Sequence, residues 1–204
     1  MKKNELVYAY LLEKAIERKS KIMTQAEIAK ALGISLSTVN NAINPLRRMC
    51  AVRIKLRSLE VINPKKILYY WASIRNIEKD IIYKTRVNAS VSEIEKNMPA
   101  DVVYGSYSAY KFLFNDVPAD YSEVYAYSND LTEIKKRFAE NRNTPNLFVL
   151  KKDINNMAIA NIFVDLWNLK EWYAKDFLSA LEAKIDGILA WTANKKKLGN
   201  PAFS

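Results

Sequence analysis

The chain has 204 residues, half of them apolar, with 32 Lys/Arg against 22 Asp/Glu and a formal net charge of +10. That is enough apolar material for one large or two small packed domains. With no histidine and a single cysteine, Cys50, the composition excludes internal disulfides, Cys/His zinc sites and every Ser-His or Cys-His nucleophile pair.

No apolar run reaches the roughly 18 residues of a membrane span, because Asn161 and Asp165 interrupt the best stretch, "MAIANIFVDLWNL". The basic start lacks a signal-peptide pattern, so a cytoplasmic protein with no membrane partner is expected. Cys50, amid apolar neighbours, reads as a small buried hydrophobe. The charge is uneven: residues 1–72 carry 14 Lys/Arg and 5 Asp/Glu, whereas residues 73–204 carry 18 and 17. Positive charge concentrated in one third of a chain is the footprint of a polyanion partner.

In chain order, Asn4 is placed to cap a first helix with Leu6, Tyr10, Leu11 and Ala15 along one side. Thr24 and Glu27 have the spacing of a capping box. They open a short helix whose apolar side is Ala26, Ile28, Ala29 and Leu32, and Gly33 ends it where the chain needs a positive φ. Ser35 caps the next helix, with Leu36, Val39, Ala42, Ile43 and Leu46 inward. The residues left outside are Ser35, Ser37, Thr38, Asn40, Asn41 and Asn44. Pro45 predicts a kink or restart near Asn44, which would aim Arg47 and Arg48 at a phosphate backbone.

Small Ala29, Gly33 in the turn and Val39 six residues on have helix-turn-helix spacing, and the segment resembles the helix-turn-helix regulators as a family. The resemblance implies that the N-terminal half of the second helix enters the DNA major groove. Asn pairs bidentately with adenine, and Ser and Thr bond base edges or phosphate. Next, residues 52–57 alternate, with Val52, Ile54 and Leu56 on the inner side and Arg53, Lys55 and Arg57 on the outer. A hairpin over residues 51–63 would be the wing of a winged helix domain, bringing three cations to the backbone.

"PKKILYYWASIRNIEKDI" predicts a connecting helix over about 64–81 with Ile67, Leu68, Trp71, Ile74, Ile77 and Ile81 in register. Tyr69, Tyr70 and Trp71 read as core or interface rather than as a base-stacking platform. Beyond it, strands are predicted at 81–87, 101–105, 122–128, 146–152 and 159–166. Helices are predicted after the Ser90/Glu93 capping box, over 108–114, after Asp130, and from an Asn168/Glu171 cap to about Trp191. The fold class is α+β: an N-terminal winged helix-turn-helix domain at 1–75, a small mixed α/β domain at 82–193 for dimerisation, regulation or partner binding, and a flexible tail at 194–204.

Gly105 and Ser106, between strand and helix, resemble the opening of nucleotidyltransferase sites. The nearby acids, Asp116, Asp120 and Glu123, lack the Asp-x-Asp pairing that a two-metal site requires. No catalytic residue, metal or cofactor is therefore assigned, the chain is expected not to be an enzyme, and Gly105 reads as a tight turn; a second domain of nucleotidyltransferase-like fold without its catalytic acids, and a nucleotidyltransferase-like enzyme, remain as alternatives. Asp165 reads as a carboxylate satisfying backbone donors at the end of a strand. The phrases "PADYSEVYAYS" and "IFVDLWNLKEWYAKDFLSALEAKI", with the preceding winged helix, resemble archaeal regulators related to the AbiEi-type antitoxins of type IV toxin-antitoxin systems. That resemblance implies a repressor of its own operon, and alternatively an antitoxin acting through the second domain. The partners expected are double-stranded DNA, a second copy of the chain in a homodimer, and a cognate toxin or small effector.

Overall fold

The computed structural model describes residues 1–198. They divide into two compact units, one made of residues 2–73 with the chain from residue 179, the other of Met1 with residues 74–178.

The first unit begins with α1 (Lys3–Ile16), whose buried side is Val7, Tyr8, Leu11, Leu12, Ala15 and Ile16. Leu6 and Tyr10 are only half-buried, so the inward face is rotated from the expected one. Asn4 lies inside the helix rather than at its cap, which is Lys2 without a side-chain bond. A two-residue strand, β1 (Ile22–Met23), leads to α2 (Gln25–Leu32). Thr24 Oγ1 accepts the Glu27 N–H at 3.0 Å and Glu27 accepts the Thr24 N–H at 2.7 Å, closing both bonds of the capping box. Gly33 stops α2 at φ 62°, a conformation that costs a residue with a Cβ about 1–2 kcal/mol. Ile28 is buried, but Ala26 is exposed.

Helix α3 (Leu36–Arg48) packs across α1 and α2 through Val39, Ala42, Ile43 and Leu46. It runs through Pro45 without the expected restart. Proline removes only the donor owed to the Asn41 carbonyl, and Asn41 is exposed, where solvent can satisfy that group. Strands β2 (Val52–Ile54) and β3 (Leu59–Val61) form an antiparallel hairpin, and β1 pairs with the other edge of β3. Helix α4 (Pro64–Ile74) follows, opened by the Asn63 side chain accepting the Lys66 N–H at 3.1 Å. It buries Ile67, Leu68 and Trp71. It is shorter than the 64–81 predicted, because Asn76 caps a separate 3-10 turn, Ile77–Asp80, and Ile81 starts a strand.

The second unit is a four-stranded sheet in the order β4-β7-β6-β5. Its strands are β4 (Ile81–Thr85), β5 (Val103–Tyr104), β6 (Val124–Ser128) and β7 (Leu147–Lys151). β6 and β7 are parallel and the other pairs antiparallel. Helices α5 (Val91–Asn97) and α7 (Thr132–Arg137) supply Ile94 and Ile134 to a core with Tyr83, Val124, Leu147 and Val149. The Ser90/Glu93 capping box is formed, and Asp130 accepts the Thr132 N–H at 2.8 Å. Helix α6 (Ser106–Phe114) packs on α8 (Ile159–Trp167).

The segment 159–166 is thus helix, not the fifth strand expected. Eight consecutive residues of α8 are buried, so its apolar run resembles a buried strand, and only the four-residue spacing of Asn161 and Asp165 marks it as helical. Asn168 ends α8 instead of capping the next helix, and α9 (Ala174–Leu198) starts later than predicted. The tail expected at 194–204 is helical as far as Leu198, and the rest lies outside the described residues. No described helix is long and apolar enough to cross a membrane.

Candidate nucleic-acid interface

α3 presents two faces of different chemistry. Inward are Val39, Ala42, Ile43 and Leu46; outward are Ser37, Asn40 and Asn41, all exposed, with Thr38 and Asn44 half-buried at the margin. No acidic residue occurs between Ile28 and Leu59, so nothing on this face repels a phosphate. Ser35 is exposed, but its hydroxyl already works for the helix. It accepts the Thr38 N–H at 3.1 Å and lies 2.8 Å from Thr38 Oγ1. The two hydroxyls at the start of α3 are thereby tied to each other, while Ser37, Asn40 and Asn41 remain presented outward. Leu36, predicted inward, is 54% exposed at the same end. It occupies the first turn, which overhangs the core that begins at Val39.

At the other end of α3, Arg47 and Arg48 are exposed. The helix is closed by Met49, and Lys66 Nζ donates to the Met49 carbonyl at 2.9 Å, a cation placed on the negative end of the helix. Cys50 then turns the chain at φ 57° and is exposed. It is not the buried hydrophobe expected: its conformation is dictated by the sharp exit from α3, with its N–H donating to the Arg47 carbonyl at 3.0 Å. Arg47 and Arg53 line one open depression with Cys50, Val52, Ile54 and Ile62, and Asn44, Arg47 and Arg48 line a second. The last turn of α3 and the hairpin therefore share a cationic surface.

The hairpin is shorter than the alternation suggests. Its ladder pairs Val52 with Val61, Arg53 with Glu60 and Ile54 with Leu59, then closes at Lys55 and Ser58, whose backbone N–H groups donate to each other's carbonyls at 2.7 and 3.4 Å. Leu56 and Arg57 form the apex. Val52 and Leu59 are buried, but Ile54 and Leu56 are not; Leu56 is 99% exposed. The core ends beneath the base of the hairpin, so the apolar side of the strand continues past anything that could cover it. Arg53, Lys55 and Arg57 are all exposed. Glu60 Oε2 lies 2.8 Å from Lys55 Nζ and 3.9 Å from the Arg53 guanidinium. Neither Leu56 at the tip nor Glu60 as a partner of the cations is evident in the residue pattern alone. The pairing of Glu60 with Arg53 follows from the hairpin register.

The Tyr69–Trp71 cluster offers no stacking platform: Trp71 is buried, Tyr70 packs edge-on against Tyr8 at 5.7 Å, and the Tyr69 hydroxyl donates to Glu182.

In the second unit, the acids near Gly105 do not converge. Asp116 accepts the Tyr110 hydroxyl at 3.1 Å, Asp120 is exposed, and Glu123 accepts the Tyr173 hydroxyl. Burial pushes the Glu123 carboxyl above its ordinary range, against the opposing effect of that hydroxyl. Among the described residues, no group of three or more His, Cys, Asp or Glu could hold a metal ion. Gly105 has φ −113°, so no left-handed turn requires it. A Cβ there would stand 2.9 Å from the Tyr127 ring and 3.2 Å from Asp165 Oδ2. Asp165 sits on α8, buried, with the Tyr127 hydroxyl 2.8 Å from both carboxylate oxygens. It lies within a helix, not at the end of a strand, and accepts the Tyr127 hydroxyl. Burial and the adjacent Asp165 raise the Tyr127 hydroxyl far above its usual pKa, so it stays protonated as the donor.

Comparison with curated proteins found no match, and comparison with solved structures found none either. Residues 14–49 match the family described as winged helix-turn-helix DNA-binding, from the last turn of α1 through α2 and α3 to Met49. Followed by the β2–β3 hairpin, the matched segment gives this mixed α/β chain an N-terminal winged helix-turn-helix DNA-binding domain.

Proposed function

We propose that the protein is a sequence-specific double-stranded DNA-binding repressor that docks α3 in the major groove. Asn40 and Asn41 meet base edges, supported by Ser37 and by Thr38 and Asn44 at the margin. Ser35 organises the helix start beside a phosphate. Arg47, Arg48, Arg53, Lys55 and Arg57 contact the backbone. The observation that carries this reading is the outward face of α3: amides and hydroxyls without a single acid, continuous with the Arg47/Arg53 surface. One such module makes few base contacts, so the repressor works as a homodimer on a two-fold site with half-sites about 34 Å apart. The resemblance to AbiEi-type regulators supports control of its own operon.

Selection of bound duplexes from a random pool, followed by gel shifts at increasing salt, tests the proposal. Asn40→Ala and Asn41→Ala change the selected sequence, whereas Arg53→Ala and Arg57→Ala weaken all duplexes alike and lower the log-log salt slope by roughly 0.9 for each phosphate that is no longer neutralised. Absence of duplex binding at low salt, or selection indifferent to both asparagines, overturns it.

A further inference from the structure

Deepening the homodimer of the reading above, we propose its interface: the β4 strands of two copies pair antiparallel about Ile82, joining their four-stranded sheets edge to edge.

An edge strand presents a row of backbone N–H and C=O groups to any strand that can reach it. The sheet has two such edges, and β5, at one of them, is only two residues long. β4, at the other, has five, and no other described strand pairs with its outer side. Beside it runs an open groove of about 780 Å³, lined by Ile81, Ile82, Tyr83 and Lys84 and by the Asn141–Asn143 loop. Beyond Lys84 the backbone is engaged by that loop: the Arg86 N–H donates to the Asn141 carbonyl at 3.5 Å. A bulge also interrupts the ladder with β7 between Ile81 and Tyr83. The stretch left for pairing is therefore short, which suits a reversible dimer.

Charge order selects the occupant. Along the chain come exposed Glu78 and half-buried Asp80, then exposed Ile82, then the exposed cations Lys84 and Arg86. Ile82 stands midway between Glu78 and Arg86. In two strands related by a two-fold axis and running in opposite directions, the acidic end of each lies against the basic end of the other, and the two Ile82 side chains meet between them. Opposite charges across strands stabilise such a pair and like charges oppose it. Asp80 is already held by Arg75, and Lys79 is exposed beside it, so Glu78 carries the acidic end. Its contact with Lys170 joins two largely exposed groups, which contributes little and leaves Glu78 open to a second cation. A foreign strand would have to bring the reversed order of charges; a second copy brings it by symmetry. The pairing also covers Ile82, 42% exposed in the single chain.

Sedimentation equilibrium of the full chain over a range of concentrations tests the interface. The expected wild type passes from monomer to dimer and no further. Glu78→Lys and Arg86→Glu each set like charges together twice in the dimer and should weaken it about tenfold. Combined, they reverse the order in both copies and should restore the affinity to within about threefold. Ile82→Cys in a Cys50→Ser background should form an interchain disulfide on mild oxidation, because a residue at the two-fold axis meets its own copy with about 4.5–5.5 Å between Cα atoms. Asp120→Cys in the same background, exposed and outside the groove, should not.

A wild type that stays monomeric, which would leave the edge to a foreign strand, overturns the assignment. So does assembly beyond two copies, a dimer indifferent to both charge reversals, a double variant no tighter than the singles, or cross-linking of Asp120→Cys as complete as that of Ile82→Cys. None of these results touches duplex binding by α3, which is read separately in gel shifts. A dimer that behaves as expected but retains no duplex leaves the interface standing and overturns the DNA-binding reading alone.

Discussion

Lys55 Nζ lies 2.8 Å from Glu60 Oε2 across the hairpin, and the same oxygen stands 3.9 Å from the Arg53 guanidinium. One carboxylate thus aligns two wing cations and also neutralises part of the charge that a phosphate would meet. Both cations are about half exposed or more, so the pair contributes little to folding, under about 1 kcal/mol. Its main effect falls on binding. Glu60→Gln should tighten DNA binding at low salt and steepen the log-log salt dependence by up to about 1, with unfolding almost unchanged. Weaker binding by the variant would mean that orientation of the cations outweighs their partial neutralisation.

Gly105 is where a single methyl group should be felt most. Its Cβ would meet the Tyr127 ring at 2.9 Å and Asp165 at 3.2 Å, and both neighbours are buried. Gly105→Ala should destabilise the protein by about 1–3 kcal/mol in denaturant unfolding. Tyr127→Phe, which removes a hydroxyl from a buried carboxylate, should cost a similar amount. If Gly105→Ala were neutral, the close approach would have to be relieved by α8.

These contacts mark the border of what is legible in the residues alone. The Thr24/Glu27 and Ser90/Glu93 boxes, Gly33 and the Ser35 cap are local devices, each complete within a few residues, and all are formed. The outward asparagines of α3 follow from the same local geometry. The inward placement expected for Leu36, Ile54 and Leu56 fails because a periodic pattern marks which side is apolar, not how far the core extends beneath it. The α8 segment reads as a strand because its apolar residues run together; the four-residue spacing of Asn161 and Asp165, both buried, is the helical signal that the apolar run masks. Gly105 answers to Tyr127 and Asp165, 22 and 60 positions away, a demand that no spacing rule contains.

Cys50 holds a left-handed conformation, φ 57°, without being glycine. Strain of about 1–2 kcal/mol at such a site exceeds the added backbone entropy of glycine, about 0.5–1 kcal/mol. Cys50→Gly should therefore stabilise the protein by roughly 0.5–1 kcal/mol, seen as a higher midpoint in thermal unfolding. The side chain is exposed, so no packing is removed to obscure the gain. A destabilised Cys50→Gly protein would show that the thiol makes contacts worth more than the strain.

Lys65 ties α4 to the part of α9 in the same unit: its Nζ lies 2.8 Å from Glu182 and 2.9 Å from Asp186. The hydrogen bonds from Lys65 and from the Tyr69 hydroxyl hold the Glu182 carboxyl below its ordinary value of 4.5, and Glu182 and Asp186 raise Lys65 above its ordinary 10.5. For Glu182 the folded value is the lower one, so its stabilisation is present above pH 4.5 and is lost as pH falls through the folded value. For Lys65 the folded value is the higher one, so its share is complete below pH 10.5 and disappears only as pH rises beyond that. These groups are about a third or more exposed, which limits the clamp to about 0.2–1 kcal/mol. Lys65→Met should lower stability by that amount at pH 7, and the gap from wild type should narrow below pH 4.5 and shrink in high salt. Unfolding curves that stay parallel from pH 7 to pH 3 would locate the stabilising contribution of Lys65 in its packing rather than its charge.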